Sequence, residues 1–198
     1  LTKESRQLRR DPFLREAAGS PPRRPSEIPS VWSQAGAGLW PADWSRVAPA
    51  FRQAGSRQIC LSAVEFGRAH FTSGFWAASE LSESAADPFG AILKIAKPAG
   101  LSVHAWVIVF NVAYAPPARM AAWRLAGRLL QTEAGEQTWL SPAHPENRKW
   151  LLDAIGELAA RYPVDAIQLD YIRFPDGGLD LSAPARTGFE TASGMPVE

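Results

Sequence analysis

The sequence predicts an α/β fold of the (β/α)8 barrel (TIM-barrel) type, with about four strand–helix units, the N-terminal half of a barrel, in its 198 residues. Strand-like and helix-like segments alternate along the chain, which favours parallel βαβ units. The strand-like segments are apolar over almost their whole length, as in sheets that are covered on both faces. A full barrel typically needs about 250 residues. An open four-stranded α/β sheet is the alternative architecture.

The predicted elements follow one another from residue 31 onward. Strands are expected at 31–35, 57–64, 101–110 and 164–170, and helices at 41–54, 87–99, 117–125, 145–162 and 183–192. Gly55 and Gly100 end two helices, and Asp87-Pro88 begins one, as these residue types commonly do. A long loop is expected at 65–86, and an insertion at 111–141 with a polar turn at 133–137. A further turn is expected at 176–178.

Residues 1–29 differ in composition from the rest of the chain. They are charged and rich in proline, as in PPRRP at 21–25, and predict a disordered or linker-like segment. The barrel-type domain is expected to span 30–198. Because the chain begins at Leu1 without a signal-like segment, we expect a processed or excised piece whose localisation is not visible.

Net charge and hydrophobicity do not favour binding to nucleic acid or insertion into a membrane. The net charge of +1 does not favour a nucleic-acid surface, and no apolar run approaches the roughly 20 residues of a membrane span. The single cysteine, Cys60, lies in an apolar stretch and is expected to be a buried thiol. Eight tryptophans suit either core packing or stacking against sugar rings. The sequence does not indicate an oligomeric state.

Alternation along the third and fourth strands predicts a polar inner face. Side chains alternate between the two faces of a strand. Ile167 and Leu169 are expected to face the helices, whereas Gln168 and Asp170 point into the barrel. In the third strand, valines and an alanine share one face, and His104 and Trp106 share the other. Polar groups on two neighbouring strands therefore meet on one side, where burial without partners would be costly.

Sites in parallel α/β folds form where the strands end. The polar and aromatic residues at these ends are Glu65, Arg68, Asn111, Tyr114, Asp170, Tyr171 and Arg173. Asp165 lies at the opposite end of the fourth strand and is expected to be structural.

Three sequence blocks carry a resemblance to a known family. They are VHAW at 103–106, WLSPAHPENR at 139–148 and VDAIQLDYIRFP at 164–175. In their order and spacing, the chain from about residue 31 to 190 resembles glycosyl hydrolase-like family 10, which groups bacterial glycosidase-like proteins with a (β/α)8 barrel. The resemblance implies a carbohydrate-active barrel, bacterial glycans such as peptidoglycan as substrates, a secreted or cell-envelope location, and strands five to eight after Glu198.

Hydrolysis of a glycosidic bond usually requires two carboxyl groups, about 5 to 5.5 Å apart for retention or 6.5 to 9.5 Å for inversion. Asp170 is the first candidate for a catalytic or substrate-orienting carboxylate; the alternative is a structural cap or an ion pair with Arg173. Glu65, at the end of the second strand, is the candidate second carboxylate. Otherwise the partner lies outside this chain. The sequence leaves retention or inversion open.

Seven further residues are candidates for binding substrate. They are His104, Trp106, Asn111, His144, Gln168, Tyr171 and Arg173. Five of them have a structural alternative: a core histidine for His104, a barrel filler for Trp106, a strand cap for Asn111, a loop-to-helix clamp for His144 and a structural clamp for Arg173.

We expect no metal and no cofactor. The three histidines, at 70, 104 and 144, lack the spacing of metal ligands. Gly36-Ala37-Gly38 is not followed by the residues of a phosphate-binding loop, and no Gly-x-Ser-x-Gly elbow occurs. The sequence therefore leads to a glycoside hydrolase, with a non-catalytic carbohydrate-binding barrel or an inactive fragment as the alternative.

Overall fold

The computed structural model describes residues 30–33, 41–85, 87–175 and 178–197. The strands in these ranges are β1 (Ser30–Ser33), β2 (Gln58–Glu65), β3 (Arg68–Ala69), β4 (Ala77–Ala78), β5 (Ser102–Ile108), β6 (Leu129–Thr132), β7 (Gly135–Leu140) and β8 (Ala166–Asp170). The helices are a 3-10 turn (Pro41–Asp43), α1 (Trp44–Gln53), α2 (Glu80–Ser84), α3 (Pro88–Ala96), α4 (Pro117–Leu125), α5 (Pro145–Arg161) and α6 (Ala183–Ser193).

Four parallel strands form the main sheet in the order in which they occur in the chain. β2 pairs with β1 on one side and with β5 on the other, and β5 pairs with β8. Cys60 lies opposite both Trp32 and His104, and Trp106 lies opposite both Ser62 and Gln168. The predicted α/β class with a parallel sheet is confirmed.

The main hydrophobic core packs against one face of this sheet, which we call the outer face; the opposite face, with Trp106 and Gln168, is the inner face. Ile59, Leu61, Val103, Ala105 and Val107 have no exposed surface and pack in one cluster with helices α1, α3 and α5. The alternation predicted for 103–109 is therefore confirmed on this face.

Local signals account for the ends of several helices. The Asp87 side chain accepts a hydrogen bond from the Gly90 backbone N–H at 3.0 Å, which caps α3. The same carboxylate accepts the Tyr162 hydroxyl at 2.8 Å, and so joins the start of α3 to the end of α5. Gly55 and Gly100 follow α1 and α3 with positive φ, as their predicted role as helix stops requires.

The predicted long loop at 65–86 is wrong in detail. The chain turns back through Phe66 and Gly67, both with positive φ, and β3 then pairs antiparallel with the end of β2. Two positive φ values suit the tight hairpin turns that connect twisted strands. β4 pairs with β3, and α2 follows. Strands of two residues are too short to show an alternating pattern, which is why the sequence did not predict them.

The insertion at 111–141 also contains more structure than predicted. Helix α4 occupies 117–125 as expected, but β6 and β7 form an antiparallel hairpin around the polar turn. A second, smaller hydrophobic cluster lies in this insertion and includes Val112, Trp123, Leu129 and Leu140.

Other differences concern strand ends. β5 ends at Ile108 instead of Phe110, and β8 begins at Ala166. Leu169 was expected to face the helices, yet it is 38% exposed. Leu169 lies opposite the buried Val107 and so keeps the predicted face, but it belongs to β8, which pairs only with β5 among the described residues and is therefore an edge strand. The predictions for residues 1–29, 34–38, 86, 176 and 177 lie outside the described residues.

Candidate active site

Asp170 is the last residue of β8, and its side chain lies on the inner face of the sheet. Its Oδ2 accepts the indole N–H of Trp106 on β5 at 2.9 Å, which shows that the two side chains share that face as predicted. Its Oδ1 accepts the Tyr171 backbone N–H at 2.7 Å. Tyr171 has a φ of 52°, in the left-handed region, so the extended conformation of β8 ends directly after the carboxylate. Such conformations are uncommon outside glycine and cluster at functional sites.

A β-bulge brings Glu65 to the same inner face. Simple alternation from Ser62 would put Glu65 on the outer face. The register shifts between Ser62 and Val64, however, because Ser62 lies opposite Trp106 whereas Val64 lies opposite Val107. Val107 belongs to the buried outer set, so Glu65, the residue after Val64, returns to the inner side.

The same register aligns the two candidate carboxylates. Continuing from Val64 opposite Val107, Glu65 lies beside Ile108, and Ile108 lies opposite Asp170. One strand therefore separates the two acidic residues, which corresponds to roughly 9.5 Å between their backbones. Side chains from these positions can reach the two sides of a glycosidic bond.

Glu65 lies in a buried polar environment. Its Oε1 is 3.7 Å from Nε2 of His70, a separation beyond hydrogen-bond length but short enough for charges to interact. Burial raises the pKa of the Glu65 carboxyl, but His70 and the Ser62 hydroxyl together lower it by more, so that its pKa lies below the usual value. Glu65 is therefore ionised at neutral pH.

Aromatic rings surround the end of β8. The ring of Tyr171 lies 5.4 Å from that of Trp139 and 5.7 Å from that of Phe66. The guanidinium of Arg173 lies over Tyr171 at 5.1 Å and over Trp139 at 5.8 Å. Sugar rings present flat apolar faces to such groups, and a guanidinium donates to hydroxyl oxygens. This rim therefore suits a carbohydrate chain.

A second pair of rings lies lower on the inner face. Trp32 of β1 meets Trp106 edge to face with centroids 5.0 Å apart, and Trp32 is 52% exposed. Gln168, opposite Trp106, is exposed on the same face. The inner face thus combines solvent-accessible indoles with polar groups, unlike the closed outer face.

Three predicted binding residues make structural contacts instead. His104 Nδ1 lies 3.1 Å from Gln58 Nε2, nearer the strand starts than Trp106. Asn111 Oδ1 accepts the Ala113 backbone N–H at 3.1 Å and so shapes the turn after β5. His144 is the N-cap of α5 and accepts the Glu146 N–H at 3.3 Å. Their structural alternatives account for these contacts, and roles in binding remain predictions.

Asp165 lies at the start of β8, away from these groups. It accepts the Val103 N–H at 2.8 Å and pairs with Lys97 at 2.9 Å. The backbone bond and Lys97 lower the pKa of Asp165. Its structural assignment from the sequence is confirmed by these contacts.

Within the described ranges, no three His, Cys, Asp or Glu side chains form a group that could hold a metal ion. Over the same residues, every helix is too short or too polar to cross a membrane.

A model of the family described as glycosyl hydrolase-like 10 matches residues 67–182. The chain belongs to this family. The match begins two residues after Glu65 and includes the end of β8 with Asp170, Tyr171 and Arg173. The resemblance inferred from the three sequence blocks is therefore confirmed. A comparison with curated proteins found no match.

Solved structures give a similar fold. A hypothetical protein from Ruminiclostridium thermocellum ATCC 27405 matches with a TM-score of 0.58 at 13% identity, over 84% of this chain and 93% of that one. This likeness concerns the fold alone. An α-L-fucosynthase from Thermotoga maritima, in complex with α-L-Fuc-(1-2)-β-L-Fuc-N3, matches at 15% identity with a TM-score of 0.47, over 64% of this chain and 27% of that one.

Sequence reasoning missed four residues around the site: Trp32, Phe66, His70 and Trp139. The sequence could not assign Trp32 to a face, because β1 has only four residues, too few to show an alternating pattern. Phe66 and His70 depend on the hairpin between β2 and β3, for which the sequence offers only Gly67 as a signal.

Proposed function

We propose that the parallel sheet is part of a (β/α) barrel whose inner face is the substrate site of a glycoside hydrolase. The substrate class is a bacterial or environmental polysaccharide, with peptidoglycan-type glycans included. Membership of the glycosyl hydrolase-like 10 family supports the reaction class. The observation that carries the proposal is the alignment of Glu65 and Asp170 on the inner face, with one strand between them.

The two carboxyl groups lie in different environments, so they can take different roles: one as base or nucleophile, the other as acid. Glu65, ionised at neutral pH, is suited to take a proton from water or to attack the anomeric carbon. Proton transfer to the leaving oxygen then falls to Asp170. The two N–H groups that bind Asp170 fix its orientation. Tyr171, Arg173, Trp106 and Gln168 line the path of the glycan.

One observation favours a second candidate function, a carbohydrate-binding barrel without catalysis. Both oxygens of Asp170 already accept N–H bonds, from Trp106 and from Tyr171. A carboxylate anchored in this way can serve as a fixed acceptor for sugar hydroxyls without exchanging protons. The exposed rings of the inner face serve either function.

Substitution of Asp170 separates the two functions. We expect Asp170→Asn to reduce release of reducing ends from bacterial glycans by at least about 100-fold, because the amide cannot transfer the proton. Asp170→Asn should still fold, with a melting temperature by circular dichroism that is modestly lowered, because the amide NH2 replaces one of the two oxygens that accept an N–H. Asp153→Asn is the matched control, because Asp153 lies on α5 in an exposed pair with Lys149 and should leave the rate unchanged.

Full activity in folded Asp170→Asn would overturn the catalytic assignment. If the unmodified protein binds glycans in a pull-down but releases no reducing ends from any of them, the binding function replaces the hydrolase.

A further inference from the structure

Three buried polar atoms converge beside the second carboxylate. They are Ser62 Oγ, Glu65 Oε1 and His70 Nε2, and none of them has a hydrogen-bond partner within the described residues. Ser62 is fully buried and His70 is 4% exposed. A buried polar group without a hydrogen bond costs about 1–3 kcal/mol, so the compensation for these three atoms must come from their charge interactions with one another, of which the 3.7 Å contact between Glu65 and His70 is one.

The cluster follows from the bulge and the hairpin together. The bulge after Ser62 turns Glu65 to the inner face, and the Phe66-Gly67 turn brings β3 back beside β2. The backbone N–H of His70 then bonds to the Ala63 carbonyl at 2.9 Å. Two local features of the chain therefore place the imidazole against the carboxylate.

The ring of His70 is fixed from its other side. Its Nδ1 lies 2.8 Å from the hydroxyl of Ser79, and Ser79 itself caps α2 by accepting the Ser82 N–H at 3.2 Å. The Ser79 backbone N–H bonds to the Ala69 carbonyl at 2.9 Å. These contacts hold the imidazole ring so that its Nε2 points towards Glu65.

The chemistry of the pair decides where the proton lies. An ionised carboxylate only accepts hydrogen bonds, so a bare Nε2 lone pair facing it would be repelled. Nε2 therefore carries a proton in both accessible forms of the ring. In the neutral form, Nδ1 accepts from the Ser79 hydroxyl; in the cationic form, Nδ1 donates to it.

We propose that His70 is a positioning residue for Glu65, and that its Nε2–H, held in place by Ser79, holds the Glu65 side chain on the inner face of the sheet, on which Asp170 also lies. The inference rests on the proposed function for its catalytic meaning, but the His70–Glu65 coupling is measurable without activity. The other charged side chains on the elements around the pair are Arg68 on β3, Glu80 and Glu83 on α2, and Asp170 on β8. Arg68 is engaged by the carbonyls of Tyr114 and Ala78.

The test is the titration of Glu65 by carbon-13 NMR of its side-chain carboxyl, assigned by its loss in Glu65→Gln. We expect His70→Phe to move the titration midpoint of Glu65 to higher pH, because burial remains and the N–H is lost. His70→Gln keeps an N–H and should give a smaller rise. Phe71→Leu is the matched control: it disturbs the neighbouring buried ring, should lower the melting temperature, and should leave the midpoint unchanged.

The acidic limb of the kcat/KM profile gives the functional readout. If Glu65 acts in its ionised form, this limb should move to higher pH by the same amount as the carboxyl midpoint in each His70 variant. A moved midpoint in a protein without hydrolase activity would support the coupling and contradict the proposed function. An unmoved midpoint in folded His70→Phe would overturn the inference, whatever the activity.

A measurement on the unmodified protein applies if His70→Phe does not fold. The nitrogen-15 signal of His70 Nε2 should shift with the same midpoint as the Glu65 carboxyl, because the two groups are in contact. Absence of any such shift while Glu65 titrates would overturn the inference.

Discussion

The two faces of one parallel sheet differ sharply in what they expose. On the outer face, residues such as Leu61 and Val103 have no exposed surface and pack against three helices. On the inner face, Trp32 is half exposed, and Trp106 binds the carboxylate of Asp170. Both faces are formed by the same strands. Residues of one parity therefore pack in the core, whereas residues of the other parity form the candidate site.

The difference implies that substitutions on the two faces should have separable effects. Changes on the outer face remove apolar contacts and so lower the free energy of unfolding. Changes at the exposed positions of the inner face, such as Trp32 and Gln168, remove groups that solvent already reaches, where stability effects are commonly within about 0.5 kcal/mol. An outer-face substitution that lowers activity per folded molecule, or an exposed inner-face substitution that strongly lowers stability, would contradict this separation.

The largest effect on stability is expected from the outer face. Leu61→Ala should lower the free energy of unfolding by about 2–5 kcal/mol, because it leaves a cavity in a fully buried site. Chemical denaturation checks the value. Hydrolysis per folded molecule should stay unchanged; a loss of activity in the folded fraction would show that the faces are not independent.

A smaller effect, seen mainly in activity, is expected from Trp106→Phe. Phenylalanine keeps an aromatic ring but removes the N–H that binds Asp170 Oδ2 at 2.9 Å. A hydrogen bond to a neutral group contributes about 0.5–1.5 kcal/mol, so the loss in kcat/KM should be roughly two- to tenfold. Steady-state kinetics on the same glycan checks this. An unchanged rate would mean that the orientation of Asp170 does not depend on the indole.

The smallest effect is expected at the opposite end of β8. The pKa of Asp165 is lowered from its ordinary value of 3.8 by the Val103 N–H and by Lys97. Its contribution to stability is therefore full above pH 3.8 and is lost as the pH falls through the lower, folded value. Because the Lys97 side chain is 33% exposed and that of Asp165 is 39% exposed, solvent screening keeps that contribution to at most about 1 kcal/mol.

Asp165→Asn should thus be slightly less stable than the unmodified protein near pH 6, and the difference should shrink as the pH falls below 3.8. Urea unfolding over this range measures it. A difference that grows in acid would contradict the sign of the shift.

The outer face was predictable from sequence because its signal is repeated. Val103, Ala105 and Val107 alternate with His104 and Trp106 over a long strand, and burial follows that period. The helix starts at Asp87-Pro88 and Pro145 were equally readable, since caps act within a few residues.

The inner face was predictable only in part. Parity placed Trp106 and Asp170 together, and their hydrogen bond bears this out. The face occupied by Glu65 depends on a bulge of one residue, and no residue type between Ser62 and Val64 signals it. His70 reaches Glu65 through strands two residues long, whose pairing is set by tertiary packing instead of by local pattern.

The most direct test of the paired site compares the hydrolysis rates of Glu65→Gln, Asp170→Asn and the double variant. If the two carboxyl groups act on one bond, each single variant should lose most of the activity, and the double variant should be no slower than the slower single variant. Independent, multiplying losses, or a Glu65→Gln variant with the full rate, would contradict a shared catalytic role for the two carboxylates on the inner face.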